Sequence, residues 1–192
     1  MAESSTAVCN LALMRIGEQR TLTIDGEDET SISVRLMYED TAREVLRLHE
    51  WNCATFRAQL GKLDETPLGE EYSYVYNLPT SPPCLYVRRI INQPKAKYKV
   101  EASKLLTDIW PCIIEFTGYI IPPKWDATLL WVVVARLAWR LTFKFTAAKD
   151  LRRDIYAEFK DMLADARGVD QREKYGQANE EPDEEDPWVD PD

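Results

Sequence analysis

Residues Asp126–Phe145 read DATLLWVVVARLAWRLTFKF, and this stretch decides how the rest of the chain folds. Asp126 comes directly after a Pro-Pro-Lys-Trp break and is expected to cap a helix, because its carboxylate can accept hydrogen bonds from the first free helix amides. Nearly every following side chain is apolar. A helix that is apolar on almost all sides must be surrounded by its own fold or by neighbouring subunits. We therefore expect a central helix.

The charges on this helix lie four residues apart, at Arg136, Arg140 and Lys144, and so fall on one narrow line. They interrupt the ~18 apolar residues that a membrane span needs, which favours a soluble protein. The line could bind DNA phosphates, pair with acids of the next helix or of a neighbouring subunit, or face solvent. We favour pairing, since three cations are few for a DNA surface and acids follow closely at Asp150, Asp154, Glu158 and Asp161.

Two helices are predicted before this stretch. The first covers residues 5–16, with Ser5 or Thr6 as its cap and Gly17 just beyond its last turn. The second covers residues 31–51 and follows a polar linker. The linker's DGEDET run lacks the glycine and glutamate spacing of a calcium loop, so no metal site is predicted there.

Alternating patterns and proline breaks fill residues 54–123 and predict short strands joined by tight links. Such strands favour an antiparallel β lobe inserted between two helical halves. The predicted strands cover residues 56–60, 72–78, 84–92, 98–101, 104–106 and 113–121.

A fourth helix is predicted over residues 146–166, ended by Gly168, and an acidic segment follows it. Eight of the 33 acids lie in residues 180–192 with no base, which leaves 25 acids against 24 bases in the remainder. This composition predicts a disordered or extended C-terminal tail. The tail is either an inert solubilising end or an arm that docks on a partner. The Trp188-Val189 pair favours docking, and the candidate anchors of a docked tail are Tyr175, Trp188 and Val189.

The predicted fold class is therefore α+β. It comprises a four-helix bundle of two N-terminal and two C-terminal helices (residues 1–53 and 124–168), an inserted antiparallel β lobe (54–123) and an acidic C-terminal arm (169–192). Because the chain without its tail is nearly neutral, a primary nucleic-acid-binding function is disfavoured.

No catalytic, cofactor or metal motif is found in the sequence. His49, the only histidine, is expected to be a hydrogen-bonded packing residue, and Cys53 is its only nearby candidate partner for nucleophilic chemistry. The four cysteines lack paired spacing and are expected to be buried reduced thiols. We expect a protein that is not an enzyme.

The segment Val45–Leu60, VLRLHEWNCATFRAQL, resembles the tail tubular protein A family, the head-to-tail adaptors of short-tailed bacteriophages. The resemblance rests on an Arg-Leu-His-Trp-Asn helix end followed by a Phe-Arg-Ala strand. Further similar stretches lie at residues 9–13, 16–17, 28–33, 76–79, 84–90, 98–108 and 135–141. The Ser81-Pro82-Pro83 link departs from the family's shorter connection.

This resemblance implies a structural virion protein in the phage tail, assembled in the host cytoplasm. It implies a ring of about twelve copies between the portal and the tail nozzle (tubular protein B), through which genomic DNA passes without sequence-specific binding. The helices and the C-terminal arm would meet the portal, and the β lobe would help contact the nozzle. The alternative function is a small interaction module whose acidic tail binds a basic partner protein.

Overall fold

The computed structural model describes residues 4–65, 67 and 71–174. The predicted tail anchors Tyr175, Trp188 and Val189 lie outside the described residues, as does the rest of 175–192. Residues 169–174 of the predicted arm are helical. The described part is an α+β fold with four helices and two three-stranded antiparallel sheets. The helices are α1 (Ser5–Arg15), α2 (Glu29–Leu48), α3 (Ala127–Phe145) and α4 (Lys149–Lys174).

Local capping signals set the helix starts. Asp126 accepts a hydrogen bond from the Leu129 amide at 2.7 Å, which confirms the predicted cap of α3. Asp28 caps α2 in the same way through Ser31. The cap of α1 is Ser4, so the prediction of Ser5 or Thr6 is wrong.

Two glycines were predicted to end helices, and the structure confirms one of them. Gly17 ends α1 with a φ of 78°, the left-handed conformation that glycine adopts without strain. The predicted stop at Gly168 is wrong, because α4 continues through it to Lys174. Glycine weakens a helix by only about 1 kcal/mol, so contacts made beyond it can carry the helix past it.

The predicted four-helix bundle is wrong. α1, α2 and α4 each pack mainly against α3 rather than around a shared axis. The physical reason is the apolar surface of α3, which buries residues on all sides and therefore serves as the core that the other helices cover. Its buried residues are Leu129, Val132, Val133, Val134, Ala135, Leu137, Ala138, Leu141 and Thr142.

The single predicted β lobe is also wrong, because the six strands divide into two sheets. One has the order β1-β6-β3 and the other the order β2-β5-β4. The strands lie near their predicted positions: β1 Thr55–Gln59, β2 Tyr74–Asn77, β3 Cys84–Ile90, β4 Tyr98–Glu101, β5 Lys104–Thr107 and β6 Ile113–Gly118.

Two apolar clusters hold these layers together. The larger surrounds α3 and includes Trp51, and the smaller lies among the strands and includes Tyr76 and Phe116. Phe56 of β1 packs against both clusters and thereby joins the helices to the β1-β6-β3 sheet.

Candidate functional site: an arginine cleft and two exposed aromatic positions

A polar cleft of about 770 Å³ lies where the β1-β6-β3 sheet meets the helices. We call it the arginine cleft, after Arg57 of β1 and Arg88 and Arg89 of β3. The last turn of α4 also contributes to it, through Glu173. The other lining residues are Glu50, Asn52, Thr55 and Glu115.

A β-bulge brings two consecutive arginines to one cleft. Successive side chains of a regular strand point to opposite faces. The pairing of β3 with β6 shifts register between Val87 and Arg89. The extra residue of a bulge changes the alternation, so both Arg88 and Arg89 line the arginine cleft.

Arg88 connects the β1-β6-β3 sheet to the segment that follows α2. Its guanidinium donates to the Thr55 hydroxyl at 2.8 Å, to the Thr117 hydroxyl at 3.0 Å and to the Trp51 carbonyl at 3.1 Å. Burial lowers the pKa of Arg88, while the nearby carboxylates of Glu50 and Glu115 act in the opposite direction. Arginine stays protonated in proteins, so this charge is retained.

Arg57 and Arg89 share a single buried carboxylate oxygen. Glu115 Oε2 lies 3.4 Å from Arg57 Nε and 3.2 Å from an Arg89 terminal nitrogen. The Glu115 side chain is 6% exposed, whereas those of Arg57 and Arg89 are 69% and 52% exposed. The two guanidiniums thus keep donors at the surface that one shared oxygen does not occupy.

Asp170 clamps the end of α4 beside this cleft. Its carboxylate accepts from the Asn52 amide at 2.9 Å and lies 2.9 Å from His49 Nε2, and its carbonyl accepts from the Asn52 side chain. His49 is therefore hydrogen bonded, as predicted, and stacks edge-on against Trp51. Asp170 itself is 3% exposed. These bonds explain why α4 does not end at Gly168.

The cations of α3, predicted to pair with acids of the fourth helix or of a neighbouring subunit, pair within the chain with acids of α2. Arg136 and Arg140 each bond one carboxylate oxygen of Glu44 at 2.5 Å, and Lys144 pairs with Glu29. Arg136 is also flanked by the aromatic rings of Trp139 and Phe159. The sequence pattern did not predict these partners, because acids that are near the cations in the chain are not necessarily near them in the fold.

Replacing Glu44 with glutamine should lower the free energy of unfolding by about 2 kcal/mol, because Arg136 and Arg140 lose the carboxylate they share in a half-buried site. Denaturant unfolding would measure this loss. Glu39→Gln is a matched control on the same helix, since it removes only the exposed pair with Arg43 and should cost about 0.5 kcal/mol or less. Equal losses for the two variants would contradict the assigned role of Glu44.

Two aromatic side chains of α3 remain exposed although the other chain segments cover most of this helix. Trp131 is 42% exposed and carries the Arg15 guanidinium over its ring at 5.4 Å. Phe143 is 57% exposed and lies beneath the Arg152 guanidinium at 3.9 Å. The Phe143 ring also contacts Trp139, which stacks on Tyr156 of α4. Both exposed rings are thus held in place by their own chain.

Cys53 does not form the pair with His49 that nucleophilic chemistry would require. Its thiol donates to the Asp126 carboxylate at 3.2 Å, and His49 is engaged by Asp170. Burial raises the pKa of Cys53 to about 12, so the thiol is protonated at neutral pH. The other three cysteines, Cys9, Cys84 and Cys112, are also free thiols with raised pKa values.

No known family model and no curated protein sequence matches the chain. Within residues 4–65, 67 and 71–174, no helix has the length and apolar character needed to cross a bilayer. Of the residues at this site, Arg57 belongs to the Phe-Arg-Ala strand of the family resemblance, whereas no sequence pattern identified Arg88, Arg89, Glu115 or Asp170 as site residues. The adjacent Arg88-Arg89 pair in an otherwise apolar strand was the available signal for this site.

Proposed function

We propose that this chain is a subunit of a head-to-tail adaptor ring, placed between the portal at a phage capsid vertex and the tail nozzle. The resemblance to the tail tubular protein A family, spread over several stretches of the sequence, supports this function. The structural observation that carries it is the exposure of two large aromatic side chains, Trp131 and Phe143, on a helix that the rest of the chain mostly covers.

These two positions define different surfaces of the subunit. Trp131 and Phe143 are 12 residues apart on α3, which corresponds to about 18 Å along the helix axis and about 120° around it. A ring of identical subunits needs two unlike, complementary surfaces, because each copy contacts its two neighbours through different faces. Burying both aromatic rings against neighbours would also remove apolar surface from water.

The proposed mechanism is mechanical and involves no bond chemistry. The ring would act as a sleeve through which genomic DNA passes. The α3 cations support this function, because their pairing with Glu44 and Glu29 reduces their attraction for phosphates. In this proposal the helices and the C-terminal arm meet the portal, and the sheets help contact tubular protein B of the nozzle.

The native mass of the full chain, alone and mixed with its portal ring, tests this function. We expect a large discrete complex with many copies of the chain, about twelve, bound to each portal. A monomer in the absence of the portal is compatible with assembly templated by the portal. No association at low or moderate salt would contradict the adaptor function. A one-to-one complex with a basic protein would instead favour the interaction module.

A further inference from the structure

The described part of α4 ends at the rim of the arginine cleft. Glu173, in the final turn of α4, lines this cleft. The turn is fixed there because Asp170, three residues earlier, is bonded to His49 and Asn52. Residues 175–192 follow this turn in the chain, and the turn lines the same cleft as Arg57 and Arg89. An extended chain spans roughly 3.4 Å per residue, so only a few of these residues are needed to cross the cleft.

The chemistry of this segment matches the donors of the cleft. Residues 175–192 contain eight carboxylates and no base. Guanidinium groups bind carboxylates through paired, charge-assisted hydrogen bonds. Among the residues that the structure describes, Arg57 and Arg89 share one carboxylate oxygen, that of Glu115, and more than half of each arginine side chain is exposed. Arg88 bonds three neutral oxygens in the described structure.

We propose that the arginine cleft binds the chain's own acidic C-terminal segment, residues 175–192. Glu50 and Glu173 also line the cleft, so its net charge is small and docking depends on the guanidinium donors rather than on a broad positive field. Such binding is weak and is screened by salt. It does not depend on the adaptor function. In an adaptor ring, docking would hold the arm on the body of its own subunit until the portal competes for it.

NMR spectra of the full chain test this docking. At about 20 mM salt we expect the amide signals of residues 175–192 to be displaced from disordered-chain positions, and to return to them at about 500 mM salt. A variant with all eight tail carboxylates converted to amides leaves the folded part unchanged. It should show disordered-chain positions at both salt concentrations and shifted side-chain N–H signals for Arg57 and Arg89.

A variant within the cleft locates the docking site. Arg57→Gln removes one donor while Arg89 still pairs with Glu115, and should weaken docking about fivefold. Arg35→Gln is the matched control, because Arg35 is an exposed arginine of α2 that does not line the cleft. Disordered tail signals in the wild-type chain at low salt, or equal effects of the two substitutions, would overturn the proposal. Displacement that grows with protein concentration would assign the docking to a neighbouring copy and overturn it as well.

Discussion

Replacing Asp170 with alanine should lower the free energy of unfolding by about 3 kcal/mol, the largest single effect on stability that we predict. The substitution removes the acceptor of the half-buried Asn52 backbone amide and the partner of His49 Nε2. Thermal unfolding should then occur about 6–12 °C lower. Because these bonds fix the last turn of α4, hydrogen exchange should also accelerate most in residues 167–174.

Two further variants distinguish the loss of the Asp170 hydrogen bonds from a general effect of substitutions in α4. Asp165→Ala changes an exposed aspartate of the same helix and should alter stability by no more than about 0.5 kcal/mol. Asp170→Asn retains an acceptor for the Asn52 amide and should cost less than the alanine substitution. An Asp170→Ala protein as stable as Asp165→Ala would show that the clamp contributes little.

Replacing Phe143 or Trp131 with glutamate should abolish ring assembly on the portal while leaving the monomer folded. Both rings are substantially exposed in the monomer, at 57% and 42%, so a charge is tolerated there. In a subunit interface the same carboxylate would be buried without a partner, which costs several kcal/mol for each contact and recurs at every interface of the ring. Native mass spectrometry of portal mixtures measures the loss.

Leu22→Glu provides the control for this pair of variants. Leu22 is fully exposed in the linker before α2, and the substitution adds the same charge away from α3. Its complexes with the portal should match those of the wild-type chain. If the Phe143→Glu and Trp131→Glu chains assemble normally, then α3 does not supply the contacts between subunits.

Local sequence patterns were sufficient to predict the helix α3 and its cap. Asp126 satisfies an amide only three residues away, and the apolar character of the helix is visible in consecutive residues. The strands were also located by alternation over short windows. Their division into two sheets was not, because strand order depends on contacts between distant segments such as β1 and β6.

Apart from the cap of α1, the features that the sequence patterns did not predict depend on long-range geometry. Gly168 was expected to stop a helix that Asp170 instead holds in place through Asn52, 118 residues earlier. Arg136 and Arg140 of α3 pair with Glu44 on α2, and not with the acids of α4 that follow them in the chain. The arginine cleft needed both the β-bulge before Arg89 and the placement of β6 between β1 and β3.

Mixing the Trp131→Glu and Phe143→Glu chains on the portal tests the central claim that subunits join through two unlike surfaces of α3. Each variant keeps the surface that the other has lost. Trp131→Glu retains the Phe143 surface and Phe143→Glu retains the Trp131 surface, so one intact contact can form between them. We expect paired copies on the portal from the mixture, and from neither variant alone. Homodimers formed by either variant alone, or no pairing in the mixture, would contradict it.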